Sequence, residues 1–75
     1  MEEKFIEQLK EILEIDDRKI NLEDEFRSYP EWDSMAALSV IAMIDEEFGV
    51  VLNTETFGKL RTIADLIEEI KKKMS

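Results

Sequence analysis

Two glycines and a single proline among seventy-five residues leave this chain very little punctuation. Tight turns, bulges and strand corners draw on those two residue types. Long periodic stretches here therefore have to be helices. Phe5, Ile6, Leu9, Ile12 and Leu13 recur at the i, i+1, i+4, i+7, i+8 spacing of one helix face, with glutamates and lysines between them. The spacing predicts a first helix running roughly from Glu2 to Ile15, with Glu2 and Glu3 at the positive end of its dipole. Asp16-Asp17 breaks the period.

Residues 16–33 show no sustained periodicity and contain Asn21, Ser28 and Pro30. A connection this long inside a small domain is either functional or pinned by its own side chains. Ile20, Leu22, Phe26, Tyr29 and Trp32 are the side chains available to tuck into the helices, and the pinning reading is preferred for each. After a second helix, Asn53 to Lys59 reads as a short helical turn with Asn53 or Thr54 as cap and Phe57 pointing inward. Gly58 weakens it. Thr62-Ile63-Ala64-Asp65 resembles a capping box, and Ile63, Leu66, Ile67, Ile70 and Met74 continue a last helix. Lys71-Lys72-Lys73 falls at the negative end of that helix dipole, which accounts for the run without nucleic acid. The expected fold is all-α: a small four-helix bundle of three principal helices and one short one, with a long first loop.

Such a chain has room for one core, and residues 1–75 are expected to form one domain. At this length folding buries roughly 60–65% of the unfolded surface, so stability is modest. No cysteine is present, which excludes a disulfide, a thiolate nucleophile or a cysteine metal site. No histidine is present either, which removes the usual general base, the usual zinc ligand and every serine–histidine dyad. Catalysis by the chain alone is therefore not expected.

The net charge is −9, from nineteen acids and ten bases. Residues 1–33 hold twelve acids and five bases, residues 34–58 four acids and no base, and residues 59–75 three acids and five bases. That surface repels nucleic acid and anionic lipid and attracts basic protein patches. The start, Met1-Glu2-Glu3-Lys4, lacks the layout of a signal peptide, and the ten mostly apolar residues from Met35 to Ile44 are about half a membrane span. The expectation is a cytoplasmic protein without a membrane span.

The second helix is the unusual one. It is expected to start at Ser34, with a capping oxygen from Asp33-Ser34, and to end near Phe48-Gly49, where glycine suits a left-handed cap. Between Met35 and Ile44 only Ser39 is polar, so the helix is apolar nearly all round. Such a helix is deeply buried or offers its second face to something else, and full burial is hard to arrange in so small a domain. Ser34 opens this helix. It reads either as a plain N-cap or as a hydroxyl held outside the core, where an esterified phosphate would face free backbone N–H groups and the positive end of the dipole.

Trp32-Asp33-Ser34-Met35, followed by Leu38, Ile41 and Ile44 and then Asp45-Glu46-Glu47-Phe48-Gly49-Val50, resembles the acyl carrier protein family. That family's signature is Asp-Ser-Leu at the start of the second helix, before an apolar helix that ends in an acidic cluster and Phe. Phe26 matches the family's loop phenylalanine, and Leu60-Arg61-Thr62-Ile63 resembles its entry to the last helix. The resemblance covers nearly the whole chain. It implies that Ser34, between Asp33 and Met35, receives 4′-phosphopantetheine from coenzyme A through a phosphopantetheinyl transferase. The arm's thiol then carries an acyl group as a thioester to partner enzymes of lipid, polyketide or related biosynthesis. On this reading the chain is a non-enzymatic, monomeric carrier, and acyl- or aminoacyl-activating and transferring enzymes are its partners. The implied acyl pocket comprises Phe26, Leu38, Ile44, Leu52, Phe57 and Leu60.

The departures from the family pattern sharpen these expectations. Met35 replaces the usual leucine, and Tyr29-Pro30-Glu31-Trp32 stands where the family often has a glycine. Ala36 and Ser39 occupy positions that are commonly acidic in fatty-acid carriers. Docking is therefore expected to lean on apolar contact through Ala36, Ala37, Val40 and Met43, with Asp45, Glu46 and Glu47 supplying the remaining charge. Those three carboxylates have the wrong spacing for calcium, and no metal site is expected. Phe57 stands where a smaller side chain often borders the acyl pocket, so its ring would shorten that pocket. Together these features suit a specialised pathway. Two alternatives stay open: an aminoacyl, D-alanyl or peptidyl carrier, and an unmodified acidic helical interaction domain.

Overall fold

The computed structural model describes residues 1–74. Four α-helices follow in order: α1 (Glu2–Leu13), α2 (Ser34–Phe48), α3 (Thr54–Lys59) and α4 (Ile63–Met74). A single 3₁₀ turn, Phe26–Ser28, interrupts the first loop. Among the described residues there is no strand, only an isolated antiparallel bridge between Glu25 and Thr62. The bundle measures 33 × 23 × 21 Å. The expected all-α architecture, with three principal helices and one short one, is the one found.

The helices form where apolar residues repeat at helical spacing, and they pack along those stripes. On α1 the buried residues are Phe5, Leu9 and Leu13, and on α4 they are Ile63, Leu66, Ile67 and Ile70. The longest helix, α2, packs against both α1 and α4. Its inward stripe is Ala36, Val40, Met43 and Ile44. No polar or charged residue is buried among the described residues, so apolar burial holds the core together, at about 1.5–3 kcal/mol for each large side chain.

The first helix ends two residues earlier than its periodicity suggests. Glu14 adopts a left-handed conformation (φ 57°), its N–H donates to Glu11 O at 3.2 Å, and the Ile15 N–H donates to Lys10 O at 2.9 Å. This paired closure is a Schellman turn, which ordinarily uses glycine. It swings Ile15 back into the core, where that residue is buried. At the end of α2 the same left-handed position is filled by Gly49 (φ 66°).

The long loop is laced down mainly by polar contacts. Arg18 and Glu31 form a two-pronged ion pair at 3.0 and 2.6 Å. Asp24 is a hub: its carboxylate accepts from the Asn21 N–H at 3.0 Å and the Tyr29 hydroxyl at 2.8 Å. Those two bonds, the backbone one first, hold the Asp24 carboxyl below its ordinary pKa. Burial first, and then the Asp24 carboxylate, pushes the Tyr29 phenol well above its ordinary value. Ile20 and Phe26 are buried and Tyr29 and Trp32 half-buried, as expected of side-chain pins. Leu22 departs from that expectation. Its side chain is exposed, and it anchors the loop through its carbonyl, which accepts the Ala64 N–H at 2.9 Å. The Asp24 carbonyl likewise accepts the Ile63 N–H at 3.0 Å.

The start of α4 is thus capped twice over. Two of its first N–H groups end on loop carbonyls. Thr62 and Asp65 supply the capping box read from the sequence, with Asp65 Oδ2 accepting from the Arg61 and Thr62 N–H groups and Thr62 Oγ1 accepting from the Asp65 N–H. These backbone donors hold the Asp65 carboxyl below its ordinary pKa.

Candidate functional site

The chain arrives at α2 through Tyr29–Asp33, where the Trp32 N–H donates to Tyr29 O at 3.0 Å. Asp33 is extended (φ −151°, ψ −175°), and its Oδ1 accepts the Ala36 N–H at 2.7 Å. Asp33 is therefore the N-cap, and Ser34 is the first helical residue. The reading of Ser34 as a plain cap is thereby corrected: the capping task falls to the Asp33 carboxylate one position earlier. Ser34 is exposed. Its hydroxyl has no hydrogen-bond partner among the described residues, and neither the Ser34 nor the Met35 N–H has a protein acceptor. Free N–H groups at the positive end of a fifteen-residue helix suit an anionic group on the Ser34 oxygen. A phosphoryl ester fits this position without displacing any existing contact.

From Ser34 an open groove of about 350 Å³ runs between α2 and α3. Its α2 wall is Ser34, Ala37, Leu38 and Ile41, and Thr54, Phe57 and Gly58 form the α3 side. The positions 34, 37, 38 and 41 form an i, i+3, i+4, i+7 line, so this wall was readable from Ser34 outward by helical spacing alone. Phe57 in that wall belongs to an aromatic cluster. Phe26 meets Trp32 edge-on with centroids 4.9 Å apart, Phe26 and Phe57 lie 5.6 Å apart, and Trp32 stacks on Phe57 at 6.2 Å with planes 12° apart.

Arg27 closes the loop side of the groove. Its guanidinium donates to Phe57 O at 2.9 Å and to Leu60 O, and it lies 4.7 Å from the Phe26 centroid and 5.4 Å from that of Phe57. Sequence reasoning missed this residue. Its partners lie 30 and 33 positions away, and no local pattern marks it.

Of the residues expected to line an acyl pocket, Leu38 and Phe57 are in the groove wall and Phe26 packs against Phe57. Ile44 and Leu52 are instead core residues, 0% and 2% exposed; Ile44 follows Val40 by one turn on the inward stripe. Leu60 lines a separate, mostly charged depression with Lys59, Asp65 and Glu68. The apolar docking surface also needs correction. Val40, Met43 and Ala36 are 0%, 5% and 8% exposed, because they form the stripe that α1 and α4 cover. The outward apolar side chains are Met35 at 75%, Leu38 at 63% and Val51 at 74%, with Ala37 half-buried between the faces. The helix does offer a second apolar face, but through different residues.

Asp45, Glu46 and Glu47 are exposed as expected. Glu47 is engaged within the protein, 3.1 Å from Lys4 Nζ, which ties α2 to α1. No cluster of carboxylates among the described residues is arranged to hold a metal ion, and no described helix is long and apolar enough to cross a membrane.

Comparison with known proteins places this geometry. The family model for the phosphopantetheine attachment site matches residues 3–70. A solved structure from Mycobacterium tuberculosis, described as an acyl carrier protein, superposes with a TM-score of 0.84 at 20% identity, over 95% of each chain. That likeness shows the shared fold. Proteins of this family are carriers acted on by partner enzymes, not catalysts, and the group they hold is 4′-phosphopantetheine. With nearly its whole length matched, a free serine hydroxyl at the head of α2 and no nucleophilic machinery of its own, this chain belongs to the phosphopantetheine attachment-site family of carrier proteins.

Proposed function

We propose that this protein is an acyl carrier whose arm is esterified to Ser34 Oγ. The observation that carries the reading is the exposed Ser34 hydroxyl, left without a partner by the Asp33 cap and set at the head of a groove that α2 and α3 line together. When bound, 4′-phosphopantetheine supplies a thiol on which an acyl group rides as a thioester. The chain's own residues do the rest. Asp33 fixes the first turn of α2, the Ser34 and Met35 N–H groups offer hydrogen bonds to an anionic ester, and the groove gives a shallow apolar bed beside it.

The aromatic cluster behind the groove argues for a short cargo. Phe57 lines the groove and packs against Phe26 and Trp32, so a long chain reaching past it would have to displace a packed ring cluster. A short acyl group suits a specialised lipid, polyketide or related pathway. An aminoacyl group is equally short, and Asp33-Ser34-Met35-Ala36 suits such carriers as well; loading assays with acyl- and aminoacyl-activating enzymes separate the two. Partner enzymes, among them a phosphopantetheinyl transferase, would dock on the outward face of α2 through Met35 and Leu38, joined by Val51, Ala37, Asp45 and Glu46. A net charge of −9 favours basic partner surfaces and opposes self-association, in keeping with a monomer working in the cytoplasm.

The test is direct. The protein is incubated with coenzyme A and a promiscuous phosphopantetheinyl transferase, and its intact mass is measured. The expected result is one added arm on the wild type and none on Ser34→Ala. An unmodified wild type, or an arm that persists in the variant, overturns the assignment and favours an unmodified interaction domain.

A further inference from the structure

We propose that Arg27 is an oxyanion-binding residue of the Ser34 groove, there to contact a negatively charged oxygen of whatever group the serine carries. The inference rests on the carrier reading and adds to it a residue outside the attachment motif.

Three observations converge on Arg27. The first is position: its side chain lines the same groove as Ser34, and no other groove residue carries a formal charge. The second is fixation. Two of its N–H groups are spent on Phe57 O and Leu60 O, and the plane lies against the rings of Phe26 and Phe57, so the guanidinium is held in the wall. An arginine has five N–H donors, so three remain for a ligand. The third is charge. Nineteen carboxylate side chains are available in this sequence, and both other arginines have carboxylate partners: Arg18 pairs with Glu31 and Asp17, and Arg61 lies 3.9 Å from Glu25. Arg27 has no ion pair among the described residues and faces neutral main-chain carbonyls. Lys10, Lys19 and Lys59 also lack a carboxylate partner, but of the three arginines only Arg27 does among the described residues. This one is kept clear, fixed and turned to the groove.

An anionic oxygen in this groove can come from two sources with the same chemistry, the phosphodiester of the arm or a carboxylate on the cargo. Either gains a charge-assisted hydrogen bond from a pre-ordered donor. A cationic aminoacyl cargo would instead meet a like charge.

The test follows the Arg27 Nε–H resonance of ¹⁵N-labelled protein in four forms: apo, phosphopantetheinylated, butyryl-loaded and malonyl-loaded, each verified by intact mass. Arg27→Gln, which keeps two N–H donors for the carbonyls of Phe57 and Leu60, assigns the peak and serves as the control for the ³¹P signal of the diester. A shift of the Arg27 peak already present in the phosphopantetheinylated form, with a ³¹P signal that differs between wild type and Arg27→Gln, supports the phosphodiester as the source. A shift that appears with malonyl and not with butyryl supports the cargo carboxylate. Both shifts should shrink as salt is raised. If the arm is attached and the Arg27 peak moves no more than that of Arg61 in any form, the proposal is overturned while the carrier reading stands. If no arm attaches, both fall.

Discussion

Asp33 and Ala36 are joined by a 2.7 Å hydrogen bond from the Ala36 N–H to the Asp33 carboxylate, and that bond frees Ser34 from any structural duty. Stability and modification should therefore separate at adjacent residues. Asp33→Ala removes the cap and is expected to cost about 1 kcal/mol. Ser34→Ala is expected to change stability by less than about 0.5 kcal/mol, as for an exposed residue without contacts. Urea denaturation followed by circular dichroism measures both. A large loss in Ser34→Ala would mean that its hydroxyl caps the helix after all.

Phe57 is 5% exposed and lies nearly parallel to Trp32, so it joins the groove to the core. Phe57→Ala should cost about 3 kcal/mol, a large share of the stability of so small a domain, and shift Trp32 fluorescence to the red. Phe57→Leu is gentler and is the variant for the cargo. It should lengthen the acyl chains protected from thioester hydrolysis. Hydrolysis rates unchanged across chain lengths would show that this ring does not bound the cargo.

Three backbone positions make opposite predictions. Glu14 holds a left-handed conformation that costs an L-residue about 1–2 kcal/mol, so Glu14→Gly should raise the midpoint of unfolding. Gly49→Ala, at φ 66°, should lower stability by about 1 kcal/mol although nothing lies within 4 Å of the added methyl. Gly58→Ala meets equally open space inside α3 and should gain roughly 0.5–1 kcal/mol. Thermal melts of the three variants settle all three signs.

Stability should fall at both ends of the pH scale, through different residues. Asp24, held low by the Asn21 N–H and the Tyr29 hydroxyl, Asp65, held low by Thr62 and Arg61, and Glu31, held low by Arg18, bind fewer protons folded than unfolded. Their contribution is present above the unfolded carboxylate values of about 4 and is lost as pH falls through the lower folded ones. Tyr29 has the reverse sign: its pKa is raised on folding, so its contribution is present below about pH 10 and is lost as pH rises beyond that value. Melting temperature against pH checks both limbs. Asp65→Asn should flatten the acid limb, and Tyr29→Phe the alkaline one.

Much of this structure was legible in the sequence because it is local. The stripes of α1 and α4, the Thr62–Asp65 capping box and the placement of Ser34 at a loop-to-helix junction each depend on residues within a few positions of one another. The misread residues are those for which distant neighbours decide. Along α2 the residues are so evenly apolar that nothing marks which stripe faces inward; α1 and α4 select Val40 and Met43 and leave Met35 and Leu38 outside. Leu22 holds its loop by a carbonyl, a group every residue has and no sequence displays. The Glu14 turn uses a residue type that does not announce a left-handed conformation. Arg27 owes its place to carbonyls in α3 and just past its end.

The carbonyls of Leu22 and Asp24 that receive the Ala64 and Ile63 N–H groups have a consequence for the order of assembly. The first two N–H groups of α4 have no partner within the helix, so their bonds to protein form only once the chain from Leu22 to Ala64 has closed on itself. Everything that concerns the cargo, including Ser34, the groove and Arg27, lies within that ring. Its knot is a handful of main-chain bonds, and the Ile63 and Ala64 amides should exchange with solvent at the same rate as the loop opens. A carrier that must yield its cargo to one enzyme after another thus has a natural place to loosen, beside the Phe26–Arg27 turn that flanks the groove, without unwinding the helix that bears the serine.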